Sequence, residues 1–148
     1  MSALDINITD IGAADMHCPC GAVHLRITGE PVAQFYCHCE DCRAVSGGGY
    51  VHVALFPAQA VVQVQGATTT WTLRTMPRQR CAVCGTQVLA EVPGQDLYGV
   101  SGGLLPIAMR KPDFHIHCRD ALLPVRDSLP HYVALPAFFG GSDAMLEW

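Results

Sequence analysis

Charge is scarce in this chain: only 15% of its 148 residues are Asp, Glu, Lys or Arg. The nine Lys and Arg form no run or stripe and the formal net charge is -4, so no electrostatic footprint for nucleic acid is present. A secretory leader is not expected either. The opening MSALDINITD carries Asp5 and Asp10 where a basic segment and an apolar stretch would have to sit, and the reading is of a cytoplasmic protein. The longest uncharged stretch, Ala44 to Leu73, is broken by Pro57, Gln59, Gln63 and Gln65, which predicts strands and turns instead of a membrane helix. Helical periodicity is nearly absent, since no stretch keeps an apolar 3.6-residue stripe for three turns. There is no repeat, low-complexity segment or linker.

What the chain does have is a hydrophobic content of 50%, enough for a real core, at a length suited to one domain. Gly21 to Thr28 alternates Val23, Leu25 and Ile27 with polar residues, the period of a half-buried strand. Similar segments recur at 34–38, 49–56, 60–65, 69–75, 87–92, 96–100 and 114–118, punctuated by Gly, Pro and Asp. The pattern predicts an all-β fold of about eight strands with little helix. One helical turn is expected after Cys39, through Asp41 to Ser46. Another is expected in the tail 141–148, where Ser142 is a candidate N-cap. Residues 1–15 are read as an edge strand, from the alternation of Leu4, Ile6 and Ile8, or as a mobile segment. Residues 16–140 form the domain.

Eight cysteines in a reducing compartment point to metal ligation or reactive thiols before disulfides. Seven fall into three groups: Cys18 and Cys20 in CPC, Cys37, Cys39 and Cys42 in CHCEDC, and Cys81 and Cys84 in CAVC. Tetrahedral zinc needs sulfurs about 3.8 Å apart, which C-x-C and C-x-x-C elements reach at a turn. Gly21 and Gly85 follow the two flanking pairs and permit such turns. An iron–sulfur cluster normally takes four cysteines, often at other spacings, and is the weaker reading.

The simplest division of seven ligands is four plus three. Cys18, Cys20, Cys81 and Cys84 close one zinc site that joins distant segments, while Cys37, Cys39 and Cys42 hold a second zinc with one position open. Other residues near the triplet are weaker ligand candidates. On a strand His38 points away from Cys37 and Cys39, and Glu40 and Asp41 are hard donors suited to solvent or a turn cap. Cys118 is read as a strand residue, and His115 and His117 as surface groups or neighbours of ligands.

The succession CPCGAVHL, YCHCEDCRAVSGG, RQRCAVCGTQV, GVSGGL and KPDFHIHC resembles the glutathione-dependent formaldehyde-activating enzyme family, which includes the centromere protein V group. The resemblance runs from about Met16 to Gly140. It implies an Mss4-like fold of antiparallel β-sheets, with Cys18, Cys20, Cys81 and Cys84 as structural zinc ligands and Cys37, Cys39 and Cys42 around a catalytic-type zinc. It also matches Ser46-Gly47 to a small-residue turn after the triplet. CRDALLPV has leucines where the family often has Trp.

The enzyme reading is a carbon–sulfur lyase or synthase that joins a small thiol such as glutathione to formaldehyde, giving S-(hydroxymethyl)glutathione or a related adduct. Arg43 and Ser46 are candidate stabilisers of the developing oxyanion. Arg74, Arg78 and Arg80 are further cations near the metal segments, read mostly as an exposed face. The alternative is a non-enzymatic zinc-stabilised β module that binds a protein partner.

Overall fold

A computed structural model describes residues 13–148, so the alternation of Leu4, Ile6 and Ile8 lies outside the described residues. The described residues form two β-sheets and one short α-helix. The smaller sheet orders β1 (Ala13–His17), β2 (His24–Thr28) and β5 (Val61–Gln65), all antiparallel. The larger contains β3 (Ala33–Cys37), β4 (Val51–Pro57), β6 (Thr68–Leu73), β7 (Met76–Cys81), β8 (Gln87–Val92), β9 (Leu97–Ser101) and β10 (Phe114–Ile116). Its spatial order is β10-β3-β4-β9-β8-β7-β6, antiparallel except for the parallel pair β10 and β3. Among the described residues no helix is long and apolar enough to cross a membrane.

Two hydrophobic clusters lie against the large sheet. Met16, Val23, Leu25 and Ile27 of the small-sheet region pack with Ala54, Phe56, Val88, Val100 and Leu105. Phe35, Leu55, Phe114 and Ile116 form the second cluster, against Tyr132, Leu135 and Phe139 of the C-terminal chain. Because side chains alternate along a strand, β4 sends Ala54 and Phe56 into one cluster and Leu55 into the other. That explains its run of three buried residues, the signature of a strand covered on both faces. Full burial of a side chain such as Phe56 contributes roughly 1.5–3 kcal/mol.

Gln34 and His52 form a paired polar group in the core. Buried Gln34 donates to the Met109 carbonyl at 2.7 Å, and its Oε1 lies 2.9 Å from His52 Nε2. Gly102 leaves no room for a side chain, because a Cβ there would overlap the His52 ring.

Two of the expected elements depart from the sequence reading. The tail is not helical: Ser142 Oγ accepts from Ala144 N–H at 3.3 Å, and Met145 bridges to Tyr132, so chain-to-chain pairing replaces the helix. The strand expected over 114–118 ends at Ile116. His117 turns into the left-handed region with φ 53°, and Cys118–Asp120 forms a 3-10 turn.

Candidate metal centres

The first cysteine group joins the two sheets. Cys18 and Cys20 lie in the turn between β1 and β2, Cys81 ends β7, and Cys84 lies in the turn between β7 and β8. In each turn a glycine at positive φ, Gly21 at 78° and Gly85 at 75°, donates its N–H to the carbonyl of the first cysteine at 2.9 Å. This reversal places the sulfurs together. Cys18 and Cys20 Sγ are 3.5 Å apart, Cys20 and Cys81 Sγ are 3.7 Å apart, and all four lie within 4.8 Å of one another.

These separations are too long for a disulfide and close to the edge of a metal–thiolate tetrahedron. The backbone also favours thiolates. Val23 N–H donates to Cys18 Sγ at 3.3 Å, Ala22 N–H to Cys20 Sγ at 3.4 Å, and Val83 and Cys84 N–H to Cys81 Sγ at 3.4 Å. Cys84 Sγ lies 3.2 Å from the Thr86 hydroxyl, whose bond to the thiolate is the largest influence lowering the Cys84 pKa to about 6. The donor set fits a soft or borderline metal ion.

The second group is built where β3 meets the helix α1 (Glu40–Ser46). Cys37 is the last residue of β3, Cys39 is the N-cap of α1, and Cys42 lies in its first turn. Cys42 N–H donates to Cys39 Sγ at 3.3 Å, so the cap that starts the helix is itself a sulfur of the cluster. The three sulfurs lie within 4.8 Å of one another, and this group contains no fourth Cys, His, Asp or Glu among the described residues. Crowding drives the three thiols apart electrostatically. Hydrogen bonds from Cys37, then Cys42, push Cys39 down to about 2, while Cys37, which gives its proton to Cys39, is raised. A metal ion bound there would replace those shared protons.

The residues around the triplet have distinct tasks. Arg74 pairs with Asp41 and lies 3.8 Å from Glu40, so both carboxylates turn away to an ion pair at the start of α1. Arg80 donates through Nη2 to the Val45 carbonyl at 2.7 Å and through Nη1 to the Gly85 carbonyl at 3.1 Å, tying α1 to the other metal turn. Arg78, read from sequence as exposed, is 3% exposed, and its charge is felt at Cys42. It has no carboxylate partner in the ion pairs among the described residues. A divalent ion held by three thiolates would carry a formal charge of -1, which a nearby buried guanidinium would offset.

Arg43 Nε donates weakly to the His38 carbonyl at 3.4 Å, and exposed Ser46 accepts from Gly48 N–H at 3.0 Å. Gly47 N–H is spent on the Arg43 carbonyl at 2.9 Å. Beyond them Gly49, Tyr50, Leu122 and Leu123 line an apolar cleft of about 170 Å³. The leucines that replace an aromatic in the sequence comparison therefore sit beside the loop that follows α1.

His38 is 1% exposed and its ring faces Tyr50, His115 and Trp148. His115 is fully buried, not on the surface, because β10 pairs with β3 on one side and with the chain around His131 on the other. Cys118 is buried apart from the triplet, and burial, reinforced by the nearby Asp127 charge, raises it to about 12. The sequence reading missed Asp127 and His131, which join His115 in a third compact group. The four-residue spacing of Asp127 and His131, after HIHC, was the available signal.

Compared with known proteins, residues 13–120 match the family described as glutathione-dependent formaldehyde-activating enzyme. No curated protein matches the chain in sequence. A solved structure of a Rhodobacter sphaeroides protein superposes with a TM-score of 0.53 at 24% identity, covering 63% of this chain and 88% of that one. The likeness is one of fold.

Proposed function

Because this chain belongs to the glutathione-dependent formaldehyde-activating enzyme family, we propose that it is a zinc-dependent carbon–sulfur synthase and, in reverse, lyase, acting on glutathione or a related small thiol and formaldehyde. The observation that carries this reading is the three-sulfur group of Cys37, Cys39 and Cys42, with no fourth protein ligand in it among the described residues. Cys18, Cys20, Cys81 and Cys84 would hold the structural zinc. Zinc held by the triplet would supply a thiophilic Lewis acid with a position for an incoming thiol.

In the forward reaction the thiol sulfur attacks the aldehyde carbon. The C–S bond forms, the carbonyl electron pair moves to oxygen, and the proton lost by the thiol ends on that oxygen. The chain's part is to hold the reactants and to meet the developing charge. Arg43 and Ser46 lie on one face of α1, three residues apart, and Ser46 keeps its hydroxyl hydrogen because it accepts from Gly48. The cleft beside Tyr50 is apolar and would shield a small carbon substrate from water. Arg74 and Arg80 are occupied by protein partners and Arg78 is buried, so Arg43 is the cation of the original four best placed for a substrate carboxylate.

Titration of cobalt-substituted protein with glutathione tests the reading. A thiol-dependent change in the spectrum of one of two cysteine-bound metals, lost in Cys39→Ser, is the expected result. A triplet that binds no metal, or binds it without response to thiol, supports the non-enzymatic β module instead.

A further inference from the structure

A third group of metal-binding type lies away from the cysteines, in the wall formed by β10 and the C-terminal chain. His115 Nε2 is 2.8 Å from Asp127 Oδ2, and His131 Nε2 is 3.0 Å from Asp127 Oδ1. The ligand atoms lie within 4.8 Å of one another. His115 is fully buried and His131 is 6% exposed, whereas the Asp127 side chain is 32% exposed and leaves one side open to solvent. Leu129 N–H donates to Asp127 Oδ1 at 3.0 Å and fixes the carboxylate.

Hydrogen bonding alone does not satisfy this group. His131 Nε2 is buried and close to the carboxylate but makes no hydrogen bond, because its ring does not point at the oxygen. A nitrogen that stands beside an oxygen at about 3 Å, with its in-plane axis directed elsewhere, is arranged as two vertices of a coordination polyhedron are.

We infer that His115, Asp127 and His131 form a further site for a borderline divalent cation of the zinc class, with the remaining coordination left to water. Two imidazoles and one carboxylate select such an ion over magnesium or calcium, which prefer all-oxygen shells. The site does not depend on the reaction proposed above.

Occupancy has a consequence for the hydrogen bond between His115 Nδ1 and His38 Nε2, 2.8 Å apart. Without metal, His115 gives its Nε2 proton to Asp127 and accepts from His38 through Nδ1. With metal on Nε2, neutral His115 carries its proton on Nδ1 and donates to His38. The metal therefore reverses the direction of that bond and changes the tautomer of His38, which lies between Cys37 and Cys39 in sequence.

The test is metal counting on the full chain with cobalt, then zinc. Wild type takes up three equivalents, the third without thiolate charge transfer. Asp127→Asn and His131→Gln each lose that equivalent and keep the two cysteine-bound ones. Nitrogen-15 spectra of the histidines show His115 moving to the Nδ1–H tautomer on addition of the third zinc, and excess magnesium has no effect. Uptake of only two equivalents by wild type, retention of the third by both variants, or an unchanged His115 tautomer overturns the site.

Discussion

The guanidinium of Arg80 donates to the main-chain carbonyl of Val45 at 2.7 Å, across 35 positions of sequence, and its other arm reaches Gly85. One side chain thus spans the two cysteine groups. The ring of Trp71, 4.8 Å below the guanidinium carbon, holds it in place. Replacement by Ala is expected to lower stability by about 1–3 kcal/mol, the range for charged hydrogen bonds lost together, read as a lower urea midpoint. Lys restores less than half of the loss, because an ammonium does not reproduce the fork to two carbonyls.

Cysteine replacements separate the two groups. Cys84→Ser removes a ligand from the staple between sheets and is expected to lose one metal equivalent with a large drop in melting temperature. Cys39→Ser is expected to lose one equivalent with a much smaller drop and to abolish any spectral response to glutathione. Metal analysis alongside thermal unfolding distinguishes these outcomes.

Arg78 is expected to matter more for metal retention than for packing alone. Its buried charge has no carboxylate partner among the described ion pairs and acts to lower the Cys42 pKa, so Arg78→Met removes a positive charge from the surroundings of the triplet. Competition with a chelator should strip the triplet of Arg78→Met at least about tenfold more readily, matching roughly 1.4 kcal/mol of lost electrostatic support. The four-cysteine site should keep its metal under the same conditions.

His52 provides a pH dependence. Burial, reinforced by the Arg110 charge, holds its folded pKa below the ordinary 6.5, and the neutral ring donates to Gln34. Its contribution is complete above pH 6.5. It is lost as pH falls toward the folded pKa, because the unfolded chain takes up the proton first. His52→Asn should therefore show a shallower fall in urea midpoint below pH 6.5 than wild type.

How far the sequence discloses this structure depends on which force sets each element. Alternation revealed β2, which buries Leu25 and Ile27 on one face, β-branched content bounded by turns revealed β5 and β8, and the short segment after Cys39 read as the turn of helix that became α1. MPRQRC did not read as a strand. In β7 the buried position inside the strand is filled by Arg78, a charged residue that breaks the apolar alternation. The cysteine groups were legible because ligand spacing is local. The His115, Asp127 and His131 group was not, since its members meet only when the C-terminal chain lies along β10. Alternation along the strand places His38 on the face opposite Cys37, but its burial depends on Tyr50 and Trp148 arriving from elsewhere.

The large sheet ends differently on its two sides. Beyond β10 the chain at 130–134 takes up its hydrogen bonds, and the chain at 144–146 in turn covers that segment. On the other side β6, with Thr68, Thr69, Thr70 and Thr72, terminates the order. An edge sealed by its own chain offers no template to a second molecule, while an open one does. Among the described residues, β6 is therefore the edge of this sheet left exposed to strand addition.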